Sequence, residues 1–162
     1  MSLAHVLRES INTALRTAIA FALMVDESAD VSAANSMVLY VRLFMNGVPT
    51  TVLWGLAQVT KADADGLVDV IETRFKEQGV PMDRLFCFAS DGASVMTGDA
   101  RGGGGVAVKL QAAWNVFMVL VHCIAHRLAL GCADACEGNV IADYFDKGCG
   151  FLTNHGRTHN KP

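Results

Sequence analysis

Two short apolar runs that each end on an aspartate constrain the fold of this chain more than any other feature. The first reads "FALMVDESAD" and the second reads "FCFASDGASVM". Short continuous apolar runs are typical of strands that are covered on both faces in an α/β sheet. We therefore predict two buried strands, with Asp26 and Asp91 at their carboxyl ends.

The remaining patterns predict a mixed α/β fold with the element order βββαβαβα. The runs "SMVLYVRLFM" and "TTVLWGLAQV" flank Asn46 and Gly47, a strong hairpin signal. Apolar spacings of three and four predict helices over residues 3–19 and 64–78. The order is completed by a strand over "RLFCFAS", a helix near residues 105–113, a strand near "VFMVLV" and a helix over "IAHRLALGCADACEG".

That order limits the topology of the sheet. A meander followed by right-handed crossovers places strand four beside strand one and parallel to it, which gives a five-stranded sheet of order 3-2-1-4-5 flanked by helices. Asp26 and Asp91 then become neighbours on strands about 4.8 Å apart, at the edge where open α/β sheets bind ligands. Two such carboxylates suit Mg²⁺ or Mn²⁺, and a metal there would permit phosphoryl transfer. The alternative, a commoner role for aspartate at a strand end, is that both residues only begin turns.

Composition limits the class of protein. The 162 residues are 52% hydrophobic and 18% charged, which suits about one domain with a substantial core. The net charge of −3 provides no broad basic field for a phosphate backbone, so most DNA affinity would have to come from other parts. The chain has five cysteines, and an odd number disfavours the disulfide framework of a secreted protein. Its apolar runs are too short for a membrane span. We therefore predict a soluble intracellular protein that does not act at a membrane.

Three motifs, in a fixed order, resemble a known family. "FALMVDESADVSAANSMVLYVRLF", "FASDGASVMTG" and "VHCIAHRLAL" together resemble the ribonuclease H-like catalytic domain of hAT-superfamily transposases and of host proteins domesticated from them. The resemblance implies the same fold, catalytic and metal-binding roles for Asp26 and Asp91, and Mg²⁺ or Mn²⁺ as cofactor. It also implies DNA as a partner, a possible homo-oligomer and a nuclear location. Cys123 and His126 match the family's Cys-x-x-His motif and would be neighbours of the active site.

The chain also departs from that family. The family's third acid, a glutamate, follows a large helical insertion, and Glu137 comes too early to be that residue. We therefore expect an N-terminal helix over residues 1–19, a partial ribonuclease H-like domain over residues 20–136, and an irregular tail over residues 137–162 where the insertion would begin. Because one metal ligand would be lacking, we expect weak metal binding and absent or negligible DNA cleavage.

Two other functions are considered. A domesticated, non-catalytic domain could serve as a protein-interaction or dimerisation scaffold in a nuclear DNA-binding regulator, and it would need no divalent metal. A zinc module is disfavoured, because a single continuous helix would place Cys123 and His126 on one face and point Cys132 and Cys136 nearly to the opposite one. Its possible ligands are Cys123, His126, Cys132 and Cys136. The glycine run over residues 102–105 lacks the lysine spacing of a phosphate-binding loop and predicts only a flexible entry to a helix.

Overall fold

The computed structural model describes residues 3–29, 35–98 and 104–136, and it contains a five-stranded sheet. The strands are β1 (Phe21–Ala29), β2 (Asn35–Met45), β3 (Val48–Gln58), β4 (Leu85–Ser90) and β5 (Val119–His122). Their order is β3-β2-β1-β4-β5, with antiparallel pairing among the first three strands and parallel pairing from β1 to β4 and from β4 to β5. The predicted sheet order 3-2-1-4-5 is confirmed.

A two-residue turn at Asn46 and Gly47 joins β2 to β3. Both residues have positive φ, 52° and 78°, which is the backbone that a tight hairpin of this twist requires. The two strands then pair from Ser36 and Gln58 to Met45 and Val48, with one irregularity between Leu39 and Tyr40. The hairpin prediction is therefore confirmed.

Helices precede, connect and follow the strands. In the described residues they are α1 (Leu3–Thr17), α2 (Ala64–Gln78), α3 (Ser94–Thr97), α4 (Val106–Trp114) and α5 (Ile124–Cys136), with a 3₁₀ turn at Met82–Arg84. The Asp63 carboxylate accepts a hydrogen bond from the Gly66 N–H at 2.8 Å and so caps the start of α2, while Gly79 ends that helix in the left-handed conformation. The sequence did not predict α3 or the 3₁₀ turn, because three or four residues are too few to show a helical period.

The core lies between the sheet and helices α1, α2 and α4, and Phe75 of α2 is at its centre. The Phe75 ring centroid is 5.9 Å from that of Phe21 on β1, and 5.1 Å from those of Trp54 on β3 and Trp114 on α4. Leu15 of α1 belongs to the same buried cluster. One contiguous core therefore fixes the positions of the strands that carry the candidate site.

The fifth strand begins later than the predicted run. Asn115 has φ of 50° and ends α4, and the Gln111 side chain donates a hydrogen bond to the Met118 carbonyl at 2.9 Å. These contacts keep residues 116–118 out of the ladder, so β5 starts at Val119.

The chain divides into two compact units, residues 1–123 and residues 124–162. The first contains the sheet and α1 to α4, and the second contains α5. The predicted N-terminal helix ends at Thr17, and the irregular tail predicted over residues 137–162 lies outside the described residues. None of the described helices combines the length and the hydropathy needed to cross a bilayer.

Candidate metal site at the carboxyl edge of the sheet

Asp26 lies within β1 and not at its end, which differs from the prediction. β1 continues to Ala29 because the long β2 pairs with it there, and Asp26 is opposite Val38. Side chains alternate between the two faces of a strand, and Val25 is buried whereas Asp26 is exposed. The Asp26 carboxylate therefore lies on the face of β1 that does not carry the core.

The pairing of β1 with β4 brings Asp91 level with Asp26. In this parallel ladder Met24 pairs with Ala89, and the two aspartates each follow two residues later. Neighbouring strands lie about 4.8 Å apart, so the two backbones are close at this level. Two acids that are far apart in the sequence thus follow the paired segments of adjacent strands at one edge of the sheet, and their joint role as ligands stays a prediction.

β4 ends at Ser90, and the chain turns through Asp91 and Gly92. The Asp91 Oδ1 accepts a hydrogen bond from the Ala93 N–H at 3.0 Å, and Gly92 has φ of 81°. The turn-forming role that the sequence left open for Asp91 is therefore present. The turn's hydrogen bond uses the Asp91 Oδ1, and the Oδ2 is left for a ligand.

His122 is a residue of this edge that the sequence analysis did not single out. It pairs with Ser90 in the ladder between β4 and β5, and its imidazole lies over Gly92. A β-carbon built on Gly92 would come within 2.3 Å of the His122 Nε2, so any larger residue there would require the ring to move. The sequence did contain a signal for His122. The run "MVLVH" ends on a polar residue, as the runs of the first and fourth strands do.

The two predicted neighbours of the active site lie in different units. The Cys123 N–H donates to the Ser90 carbonyl at 2.7 Å, which carries the β4–β5 pairing one residue further, to the level of Asp91. Cys123 is exposed there. His126 is exposed on α5 in the second unit, and its place beside the acids stays a prediction.

The donor atoms at this edge suit a hard divalent cation. Mg²⁺ is commonly held by one or two carboxylates together with water and substrate phosphates, and Mn²⁺ accepts the same oxygen ligands. Asp26 and Asp91 supply that minimum. Within the described ranges, no three His, Cys, Asp or Glu side chains come close enough together to hold a metal ion.

The sequence profile of one family covers both aspartates. The DUF4371 family, described as the ZMYM1/FAM200 RNase-like domain, matches residues 1–102, which is more than half of the chain. The chain belongs to this family. This RNase-like domain is of the kind found in transposase-derived proteins, which supports the predicted origin. The match does not extend to membership of the hAT superfamily.

Solved structures match parts of the chain at a distant level. One is YeaZ from Pseudomonas aeruginosa, with 19% sequence identity and a TM-score of 0.31 over 64% of this chain. The alignment spans 43% of the length of that structure, and a likeness at this level carries no argument about function. No protein of curated function matches the chain.

Proposed function

We propose that this RNase-like domain binds Mg²⁺ or Mn²⁺ between Asp26 and Asp91, as part of the catalytic core of a hAT-type transposase or of a protein derived from one. The shared level of the two aspartates on adjacent parallel strands supports the proposal. A bound cation would offset the repulsion between the carboxylates and polarise a DNA phosphodiester for cleavage and strand transfer. DNA is the proposed substrate, and the nucleus is the proposed location.

The chain's own residues prepare the two acids for this role. The Ala93 N–H holds one Asp91 oxygen and so limits rotation of that carboxylate. β2 pairs with β1 through Asp26, and β4 pairs with β1 as far as Met24, two residues before it, so the backbone at Asp26 is held in the sheet. We further propose that Cys123 and His126 lie near the bound DNA strand. With two aspartates as its protein ligands, we expect the site to bind metal weakly and to give negligible cleavage in this chain by itself.

Metal binding is the direct test. Free Mn²⁺ gives a sharp paramagnetic resonance signal, so a titration of the purified protein measures bound ion by the loss of that signal. We expect Asp26→Asn and Asp91→Asn each to weaken Mn²⁺ binding at least about tenfold, because a site with two protein ligands loses one of them. Asp83→Asn is the matched control, since Asp83 is an exposed acid that precedes β4 at the other end of the strand.

Unchanged Mn²⁺ affinity in both site variants would show that the ion binds elsewhere, and the proposal would then be wrong. A nicking assay on supercoiled DNA in Mn²⁺ supplies a second readout. Any cleavage above background has to disappear with Asp91→Asn and persist with Asp83→Asn.

A non-catalytic scaffold in a nuclear regulator is the second candidate, and one observation favours it. Several large apolar side chains of the sheet are exposed, which is typical of surfaces that bind other proteins. They are Phe44, Leu53, Leu56, Phe86, Val119 and Val121. A scaffold needs no cation, so this role predicts that the Asp26→Asn, Asp91→Asn double variant keeps its protein partner.

A further inference from the structure

A cleft of about 780 Å³ opens at the amino end of β1, at the end of the strand opposite to the metal site. Residues 17–20, which end α1 and lead into β1, form one wall. The end of β2 and Pro49 form a second wall, and Phe86 of β4 borders the cleft. These elements all belong to the first unit of the chain.

Three side-by-side positions of the sheet contribute to the lining of the cleft. Arg42 of β2 pairs with Ala22 of β1, and Ala22 pairs with Cys87 of β4. Because Ala22 has only a methyl group between two longer side chains, the surface is indented at that point. Burial raises the pKa of the Cys87 thiol, which keeps this part of the lining uncharged near neutral pH.

The walls of the cleft are apolar and open to solvent. Ile19 is 96% exposed, Phe44 is 71% exposed and Phe86 is 54% exposed. Pockets for small molecules enclose most of the surface of their ligand, and walls as exposed as these cannot do so. They suit a longer occupant that lies along the cleft and covers the exposed side chains, as an amphipathic helix does in a hydrophobic groove.

The charge of the lining selects among such helices. Among the described residues that line the cleft, Arg42 is the one that carries a charge, and none is acidic. Its Nη1 donates to the Thr51 Oγ1 at 2.8 Å, which steadies the guanidinium and leaves its other N–H groups for a partner. Guanidinium groups form strong paired hydrogen bonds with carboxylates. The matching occupant therefore carries Asp or Glu beside its apolar face.

We propose that this cleft binds an acidic amphipathic helix of another protein. Large apolar side chains of the helix enter between Phe44 and Phe86, and one of its carboxylates pairs with Arg42. Asp26 lies four positions along β1 from Ala22, the last β1 residue that lines the cleft, which is about 13 Å of extended chain. A test of this proposal is therefore independent of whether the metal site exists.

A charge-swap experiment on the full chain tests the proposal. The probe is a fluorescein-labelled helical peptide of about five turns, with Leu and Phe on one face and Glu along the border of that face. Its twin has Lys in place of every Glu. Fluorescence anisotropy should show the Glu peptide binding about tenfold more tightly than its twin. Arg42→Glu should reverse that preference, whereas Lys61→Glu, a matched change at an exposed lysine outside the cleft, should leave it unchanged.

A second pair of variants tests the apolar walls. Phe44→Ser should reduce binding of the Glu peptide by about tenfold, while Leu56→Ser, which removes a comparably exposed side chain elsewhere on the sheet, should not. Circular dichroism confirms that each variant is folded. Equal binding of both peptides, or a preference that Arg42→Glu fails to reverse, would overturn the proposal. A protein dimer that Phe44→Ser dissociates would also overturn it, since the cleft would then hold a second copy of the chain.

Discussion

At the scale of single residues, Gly92 decides whether the candidate site can form. It follows Asp91, adopts φ of 81°, and lies directly beneath the His122 imidazole. A side chain at this position would strain the backbone and also displace the ring. The position of the Asp91 carboxylate in this turn therefore depends on the glycine that follows it.

We predict that Gly92→Ala lowers the free energy of unfolding by about 2 to 4 kcal/mol. About 1 to 2 kcal/mol comes from the left-handed backbone and the rest from overlap with His122. Gly47→Ala is the matched control, because Gly47 has a similar φ of 78° with nothing within 4 Å of its added β-carbon. Urea denaturation measures both losses. Similar losses at the two glycines would show that the ring does not restrict the space.

At the scale of elements, one polar network joins three parts of the fold. Asn12 of α1 is fully buried, and its Oδ1 accepts from the Trp54 Nε1 of β3 at 2.9 Å. Its Nδ2 donates to the Gln78 Oε1 of α2 at 2.6 Å. A buried amide with both ends satisfied fixes the orientation of α1 against the sheet.

We predict that Asn12→Ala lowers the free energy of unfolding by about 2 to 3 kcal/mol, because the Trp54 indole N–H loses its buried acceptor. Thr13→Ala is the control, since Thr13 is exposed on the same helix and should change stability by less than about 0.5 kcal/mol. Thermal or urea unfolding measures both. A small effect of Asn12→Ala would mean that the network does not hold α1.

Glu72 links α2 to α4 in a way that depends on pH. Its carboxylate accepts hydrogen bonds from Lys76 at 2.7 Å and from the Trp114 indole at 3.1 Å. The Lys76 hydrogen bond is the main cause that lowers the pKa of Glu72, and partial burial opposes it. A carboxyl whose pKa is lower in the folded state stabilises the fold above its unfolded pKa, and this stabilisation is lost as the pH falls through the folded value.

Glu72→Gln should therefore reduce stability near neutral pH and have little effect in acid. Lys76 is largely exposed, so solvent screens the pair and the loss should be below about 1 kcal/mol. Urea denaturation at about pH 7 and about pH 3 gives the difference between the two conditions. Asp69→Asn, an exposed change on the same helix, serves as the control. An equal loss at both pH values would point to packing and not to charge.

At the scale of the whole molecule, the fold places two like charges at one edge, which opposes stability. The buried cluster on the other face of the sheet fixes β1 and β4 and so maintains this arrangement. Two unit charges separated by the spacing of neighbouring strands, about 5 Å, would repel by about 1 kcal/mol in water. A cost of this kind is typical of sites that are built for a ligand.

Removing one of the two charges should therefore stabilise the metal-free protein. We predict that Asp26→Asn raises the free energy of unfolding by up to about 1 kcal/mol in a chelator, and that it removes the stabilisation that Mn²⁺ gives to the unchanged protein. Thermal unfolding with and without Mn²⁺ measures both effects. A variant that is less stable in the chelator would show that the carboxylate has a structural role and not a ligand's role.

The sequence by itself determined the five strands, the four longer helices and the sheet order, because hydrophobic period and the Asn46-Gly47 turn are local signals. It also determined that Asp26 and Asp91 follow the paired segments of adjacent parallel strands, since right-handed crossovers leave few topologies for that order. Tertiary structure alone decided that β1 runs past Asp26, that His122 covers Gly92, and that an apolar cleft opens beside Arg42. These features depend on the length of a paired strand and on side chains from separate elements, and such contacts leave no periodic pattern in the chain.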